Sequence, residues 1–399
     1  MNGGFTTGQT ESLALGEVSR HTLPDFSRTH RLPPHHWKVL RALAACHTPA
    51  LGGHQYQCAH CGREHFVPHS CGNRHCPSCQ RLKGAEWLEA QTQHLLPIPY
   101  FHVVFTLPHE LNPLIQYNQA RLYTLLFASA SATLLAFGRN NRKANLGITA
   151  VLHTWSQNLL DHYHLHCVVT GGGLALDGQQ WVSLDNRWLF PVRALSLVFR
   201  AKFRDGLQQL FDEGHLQFPK AESQLADPAV FARWRHRLRR HKWVVYAKRP
   251  FAGPQAVLAY LCRYTHRVAI TNRRLQSLDP QTGTITFQYK DYAHGSQIRA
   301  MTLQQPEFLR RFCLHILPPR FVKIRHFGLL ANRDRCANLK RARDLLPQRP
   351  ANPAAAQPAR LTIEPAASPK LVCPHCGHQT LLLIRFVPRP KRPPTLDSS

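Results

Sequence analysis

The sequence predicts an α+β chain with a small metal-binding module near its N-terminus, and three observations carry this. Six of the twelve cysteines (Cys46, Cys58, Cys61, Cys71, Cys76, Cys79) crowd into one short segment. Three runs rich in β-branched and aromatic residues, Tyr100–Thr106, Leu146–Trp155 and His162–Thr170, read as strands. The apolar stretch Leu114–Phe137 has the length and periodicity of a helix.

With 399 residues the chain holds two or three domains and can bury a core. Residues 1–29 read as a flexible N-terminus and 30–95 as a zinc-binding, DNA-contacting domain. Residues 96–347 read as the main domain. Within it, Pro108 closes the first strand, and Gly171, Gly172 and Gly173 are expected to end the third, because glycine runs weaken a ladder. Ala194–Phe211 is helical and Trp243–Lys248 a strand; Gly253 and Pro254 open a helix. Ile285–Tyr289, Phe308–Ile316 and Phe321–His326 follow as strand, helix and strand. Residues 348–370 form a Pro/Ala-rich linker, and 371–399 a basic tail carrying Cys373-x2-Cys376 and Arg389, Lys391 and Arg392.

Fifty Lys and Arg against 22 Asp and Glu give a net charge of +28, in a chain that is 43% hydrophobic and therefore not disordered throughout. Such an excess calls for a polyanionic partner, nucleic acid first, and not a membrane, which would usually need an anchor as well. The run Arg233, Arg235, Arg237, Arg239, Arg240 and Lys242 is either a solvated helix face or a groove that tracks the backbone of single-stranded DNA. No secretory signal is visible, and the uncharged stretch Leu122–Phe137 falls short of the roughly 18–20 residues that span a bilayer. A cytoplasmic protein is expected, in which cysteines serve as metal ligands rather than disulfides. The chain has neither a G-x-x-x-x-G-K-[ST] loop nor a G-x-G-x-x-G fingerprint, so no nucleotide cofactor is expected.

Cys58-x2-Cys61 and Cys76-x2-Cys79 are two knuckles, each of which presents two thiolates to one tetrahedral ion; together they make a four-cysteine structural zinc site. Cys46, His54, Cys71 and His75 are a possible second, interleaved set, so one or two zinc ions are expected. A closed site of this kind orders a basic surface (Arg74, Arg81, Lys83) that can lie on DNA. In the tail, Cys373 and Cys376 are half a site, which His375 and His378 could complete.

His162, His164 and His166 alternate along their strand, so they share one face while Tyr163, Leu165, Cys167 and Val169 face the core. Imidazoles on one face suit a divalent cation with open positions for substrate oxygens; the bland reading is a solvated polar face. On the helical wheel Tyr260, Arg263, Tyr264 and Arg267 fall at i, i+3, i+4 and i+7 and form one stripe. Arginine forks bind phosphate and lower the cost of a neighbouring phenolate, so the stripe can attack a phosphodiester or simply stack on DNA.

In order along the chain, HTPALGGHQYQCAHC, SCGNRHCPSCQ, YFHVVFTLPHELN, HYHLHCVVTGGGL, YLCRYTHRVAITN and FVKIRHFGLLANR resemble the bacterial insertion-sequence transposases of the rolling-circle, two-tyrosine, His-hydrophobic-His class. The resemblance spans roughly residues 30–345. It implies an antiparallel-sheet endonuclease domain with flanking helices behind an N-terminal zinc-binding domain. It further implies a catalytic Mg or Mn held by His164 and His166, with the third ligand open between His162 and a side chain from elsewhere. Tyr260 and Tyr264, with Arg263 and Arg267, would cut and rejoin single-stranded element ends through a 5′-phosphotyrosine. The protein would work in the bacterial cytoplasm, on the nucleoid. The competing readings are a zinc-dependent DNA-binding regulator and a replication initiator or relaxase-like nickase.

Overall fold

The computed structural model describes residues 13–92, 94–184, 189–248, 256–257, 268–292, 294–346 and 372–390. In chain order the chain forms helices α1 (Leu15–Thr29) and α2 (Pro34–Ala44), strands β1 (Gly53–Cys58) and β2 (Glu64–Pro68), helix α3 (Pro77–Thr92) and strand β3 (Tyr100–Thr106). Helices α4 (Asn112–Tyr117) and α5 (Gln119–Arg142) lead into β4 (Ala144–Trp155), β5 (Asp161–Ala175) and β6 (Trp181–Ser183). Then come α6 (Val192–Asp212), α7 (Pro228–Arg237), β7 (Val244–Ala247), β8 (Leu275–Asp279), β9 (Thr284–Asp291) and β10 (Gln297–Gln304). Helix α8 (Gln305–Cys313), β11 (Ile324–Gly328), helix α9 (Arg335–Leu345) and β12 (Leu381–Val387) complete the described elements.

Two compact units result. One gathers Met1–Leu82, Ile270–Cys313 and Ala351–Ser399; the other gathers Lys83–Ala269 and Leu314–Pro350. Residues 96–347 are therefore not one body, because β8, β9, β10 and α8 belong with the N-terminal unit. The stretch 348–370, expected as a linker, lies outside the described residues.

The first unit carries two three-stranded sheets, ordered β12-β1-β2 and β10-β9-β8. Its N-terminal helix corrects the expectation of a flexible start. On α1, Leu15, Val18, Thr22 and Phe26 recur on one face and are buried, and the Leu15 amide donates to Asn272 Oδ1 at 3.2 Å. Pro24 sits inside this helix.

The second unit is built on an antiparallel sheet in the order β11-β4-β5-β3-β7, with β6 on β5. Alternation decides its faces. Phe101, Val103 and Phe105 of β3 join Tyr163, Leu165, Cys167 and Val169 of β5 in the main core, packed with Leu122, Phe127 and Leu134 of α5 and Phe199 and Phe203 of α6. The stretch read as one helix over 114–137 breaks at Asn118 into α4 and α5. Helix α5 is apolar and long enough to cross a membrane by length and composition, but it is a core helix: its buried face covers the sheet, and Arg121, Thr124, Ala128 and Ala132 on the other face are exposed.

Gly171, Gly172 and Gly173 do not end β5, which runs on to Ala175. They let neighbours come close instead. A Cβ at Gly171 would lie 2.7 Å from the Pro99 carbonyl oxygen, one at Gly172 would lie 2.6 Å from the Trp181 ring, and one at Gly173 would lie 2.4 Å from the Asn145 carbonyl oxygen.

Candidate functional site

β5 lies between β4 and β3, so the face opposite the main core collects histidines from three strands. His153 of β4 stands directly across from His164, and the ligand nitrogens of His153, His164 and His166 all lie within 4.8 Å of one another. That is the spacing a single divalent cation requires of its imidazole ligands. The third member is thus His153, not His162. The His162 ring lies 4.7 Å from that of His164 and 5.7 Å from that of His109, outside the cluster. The sequence signal for His153 was faint, a lone histidine two residues from the end of its strand, and only register brings it to His164.

Hydrogen bonds fix the ring orientations. His164 Nδ1 lies 2.7 Å from the His162 carbonyl oxygen, which can only accept, so Nδ1 carries the proton and Nε2 keeps its lone pair. His166 Nδ1 pairs with His102 Nε2 of β3 at 2.9 Å, the two rings lying nearly parallel. Burial, with Lys248 nearby, pushes His102 down to about 3, so this partner is neutral. His153 is buried and stacks on Trp155 at 4.6 Å.

Further along the same face, His326 of β11 meets the Thr149 hydroxyl at 3.0 Å, and His94, Tyr100, Arg335 and Val257 line the same small cavity. Burial, then the charges of Arg335 and His94, push His326 down to about 4. This cationic end was not singled out in the sequence. Val257 is fully buried in one cluster with Tyr100 and Val168, residues of the histidine-bearing face. Tyr260, Arg263, Tyr264 and Arg267 lie outside the described residues.

The cysteines pair differently from the expectation. Cys76 and Cys79 join Cys46 and Cys71, with Sγ separations of 3.6 Å (Cys46 to Cys76), 3.7 Å (Cys46 to Cys79) and 3.6 Å (Cys71 to Cys79). Tetrahedral ligands about 2.3 Å from a zinc ion stand about 3.8 Å apart, so this set fits zinc. Cys58 and Cys61 instead face Cys373 and Cys376 of the tail. The spacing of each knuckle was legible, but its partner was not, because partners are set by how the chain returns. His54 and His75 join neither set: His54 Nδ1 contacts His69 Nε2 at 3.3 Å, and the buried His75 takes its backbone amide to Asn73 Oδ1. Among the described residues His375 joins no such group, while His378 stacks on His60 at 3.7 Å and the two place ligand nitrogens within 4.8 Å of Cys376 Sγ.

Of the expected DNA contacts, Arg74 is half-buried, Lys83 is exposed, and the side chain of Arg81 lies outside the described set. Arg233, Arg237, Arg239 and Arg240 are exposed along α7 and the turn after it. Arg235 is half-buried and turns toward α6, near the Arg204 carbonyl (3.5 Å) and Asp205 (4.0 Å).

A zinc-binding module, and an antiparallel sheet whose central strands cluster three imidazoles, define a transposase of the His-hydrophobic-His kind. The family model described as "Putative transposase" matches residues 147–338, and the one described as "Transposase zinc-binding domain" matches residues 18–107. "Putative transposase y4qJ" of Sinorhizobium fredii is 47% identical over 311 residues, 77% of this chain and 78% of that protein. "Transposase for insertion sequence element IS801" of Pseudomonas savastanoi pv. phaseolicola is 32% identical over 306 residues, 74% of this chain and 70% of that protein. The chain belongs to the IS91 family of insertion-sequence transposases. No solved structure matches it.

Proposed function

We propose that this transposase moves DNA by a rolling-circle route, cutting and rejoining single-stranded element ends through a tyrosine-linked intermediate. The observation that carries the reading is the cluster of His153, His164 and His166, with ligand nitrogens within 4.8 Å, inside the segment that matches the transposase family. A divalent cation there, Mg or Mn, would polarise the scissile phosphate and offset its charge. The chain's own residues do the rest. His102 and the His162 carbonyl hold His166 and His164 in orientation. Tyr260 or Tyr264 supplies the phenol oxygen that attacks phosphorus; the 3′-oxygen leaves and takes up a proton, giving a free 3′-hydroxyl and a 5′-phosphotyrosine. The new ester conserves the broken phosphodiester, so rejoining needs no nucleotide. Arg263 and Arg267, at helical spacing from these tyrosines in the sequence, would hold the phosphate and favour the phenolate. The burial of Val257, three residues before Tyr260, on the histidine-bearing face supports this placement. The four-cysteine zinc set holds the N-terminal domain in shape for DNA, and the protein works in the cytoplasm on the nucleoid.

The test is a denaturing-gel assay for protein–DNA adducts on labelled single strands carrying the element's own flanks, with Mn or Mg. Wild type should form a metal-dependent adduct, and Tyr260→Phe with Tyr264→Phe should abolish it. His153→Ala should cost at least about 100-fold, like His164→Ala, while His162→Ala should cost less than about tenfold. Salt-sensitive binding without any adduct would instead support a zinc-dependent DNA-binding regulator.

A further inference from the structure

The tail repeats a motif of the N-terminal hairpin. Cys58-Ala59-His60-Cys61-Gly62 and Cys373-Pro374-His375-Cys376-Gly377 share the pattern C-x-H-C-G. The structure folds both the same way. In each the glycine has a positive φ, +69° at Gly62 and +76° at Gly377, which favours glycine. The glycine amide donates to the carbonyl of the first cysteine, at 2.8 Å in the hairpin and 2.9 Å in the tail. The amide of the first cysteine donates to the carbonyl five residues on, Arg63 in one and His378 in the other, at 2.9 Å in both. Two equivalent knuckles therefore face each other.

Their sulfurs meet at metal distance. Cys58 Sγ lies 3.6 Å from Cys376 Sγ, and Cys61 Sγ lies 3.7 Å from Cys373 Sγ. Those values match the roughly 3.8 Å edge of a zinc–sulfur tetrahedron and are far from the roughly 2.05 Å of a disulfide bond. The surroundings suit thiolates. His65 Nε2 lies 3.2 Å from Cys373 Sγ and the Thr380 hydroxyl 3.3 Å from Cys58 Sγ, donors of the kind that orient metal ligands. His60 stacks on His378 beside the group. From there β12 runs antiparallel to β1, from Cys58 opposite Leu381 to Gly53 opposite Val387.

We propose that Cys58, Cys61, Cys373 and Cys376 bind a second zinc ion, which fastens the C-terminal tail and its strand β12 to the N-terminal hairpin. Neither family match reaches the tail, since they end at residues 107 and 338. The closure joins residues more than 310 positions apart, so the metal supplies a long-range link that the weak local preferences of a short tail cannot. The proposal is independent of the tyrosine chemistry.

The full chain, purified under reducing conditions, should carry two zinc ions by elemental analysis, and Cys373→Ser combined with Cys376→Ser should carry one. A second readout guards against misfolding of that variant. In wild type, Cys373 and Cys376 should react with iodoacetamide at least about tenfold more slowly than after removal of zinc by a chelator, followed peptide by peptide by mass spectrometry. One zinc in wild type, two in the double variant, or equal alkylation with and without chelator would each overturn the proposal.

Discussion

His315 is fully buried between two partners, with Nδ1 at 3.2 Å from the Thr154 hydroxyl and Nε2 at 3.0 Å from the Leu159 carbonyl. It pins the turn between β4 and β5, where Leu159 is itself buried at a φ of +62°, a conformation that favours glycine. Burial pushes His315 down to about 4 from 6.5, the Leu159 bond and the Asp161 charge opposing only in part. The sign follows from linkage. Because the folded pKa is depressed, the unfolded chain takes up a proton that the folded chain refuses, so stability is complete above about pH 6.5 and falls as pH drops toward 4. The loss across that window is on the order of 3 kcal/mol. His315→Gln should be about 1–2 kcal/mol less stable at pH 7 yet lose less between pH 7 and 4.5 than wild type. Denaturant melts at the two pH values check this, and parallel losses would place the acid lability at half-buried histidines whose pKa is also depressed, such as His36 or His326. At this scale the sequence was informative wherever chemistry is strictly local. The alternation that puts His164 and His166 on one face and Leu165 and Cys167 in the core follows from strand geometry alone.

At the scale of elements, what the sequence hid was pairing. His153 reaches the histidine cluster only through the β4–β5 register, and Cys58 and Cys61 find their partners only through β12. The glycine run of β5 misled for a related reason: its role lies in what approaches it, which no local pattern displays. Helix α1, in the stretch expected to be flexible, holds Pro24 in its interior, because the rule against proline there is overridden when the apolar face of the helix is buried. The glycines can be ranked. Gly173→Ala sets a Cβ 2.4 Å from the Asn145 carbonyl oxygen, a backbone atom of the paired strand that cannot yield, and should cost about 2–3 kcal/mol or more. Gly172→Ala meets the Trp181 ring, a side chain that can turn aside, and should cost less. Gly62→Ala meets nothing within 4 Å, so only its φ of +69° resists, about 1 kcal/mol. Thermal unfolding of the three variants gives the order; equal costs would mean that β4 and β5 shift apart freely at the glycines.

For the whole molecule the net charge of +28 sets affinity for DNA, and the structure sorts which cations are available for it. Helix α7 starts at a well-made cap, with Asp227 accepting from the Val230 amide at 2.8 Å and Pro228 opening the helix. At its other end, arginines of α6 satisfy carbonyls near its close: Arg204 Nε donates to Arg235 O at 3.1 Å and Arg200 Nη1 to Arg239 O at 2.9 Å. Those two guanidiniums, and the half-buried Arg235, are engaged in holding α7 on α6. Arg233, Arg237 and Arg239 are exposed. Binding to phosphate releases counterions, and each phosphate of a single strand that is left without its arginine flattens the plot of log affinity against log salt by about 0.7. Replacing Arg233, Arg237 and Arg239 with Gln should therefore reduce the slope by about 2 on a single-stranded oligonucleotide without moving the melting temperature. Arg204→Gln should do the opposite, lowering the melting temperature while leaving the slope nearly intact. A triple variant whose slope matches wild type would take α7 off the DNA surface and leave its arginines as a solvated face.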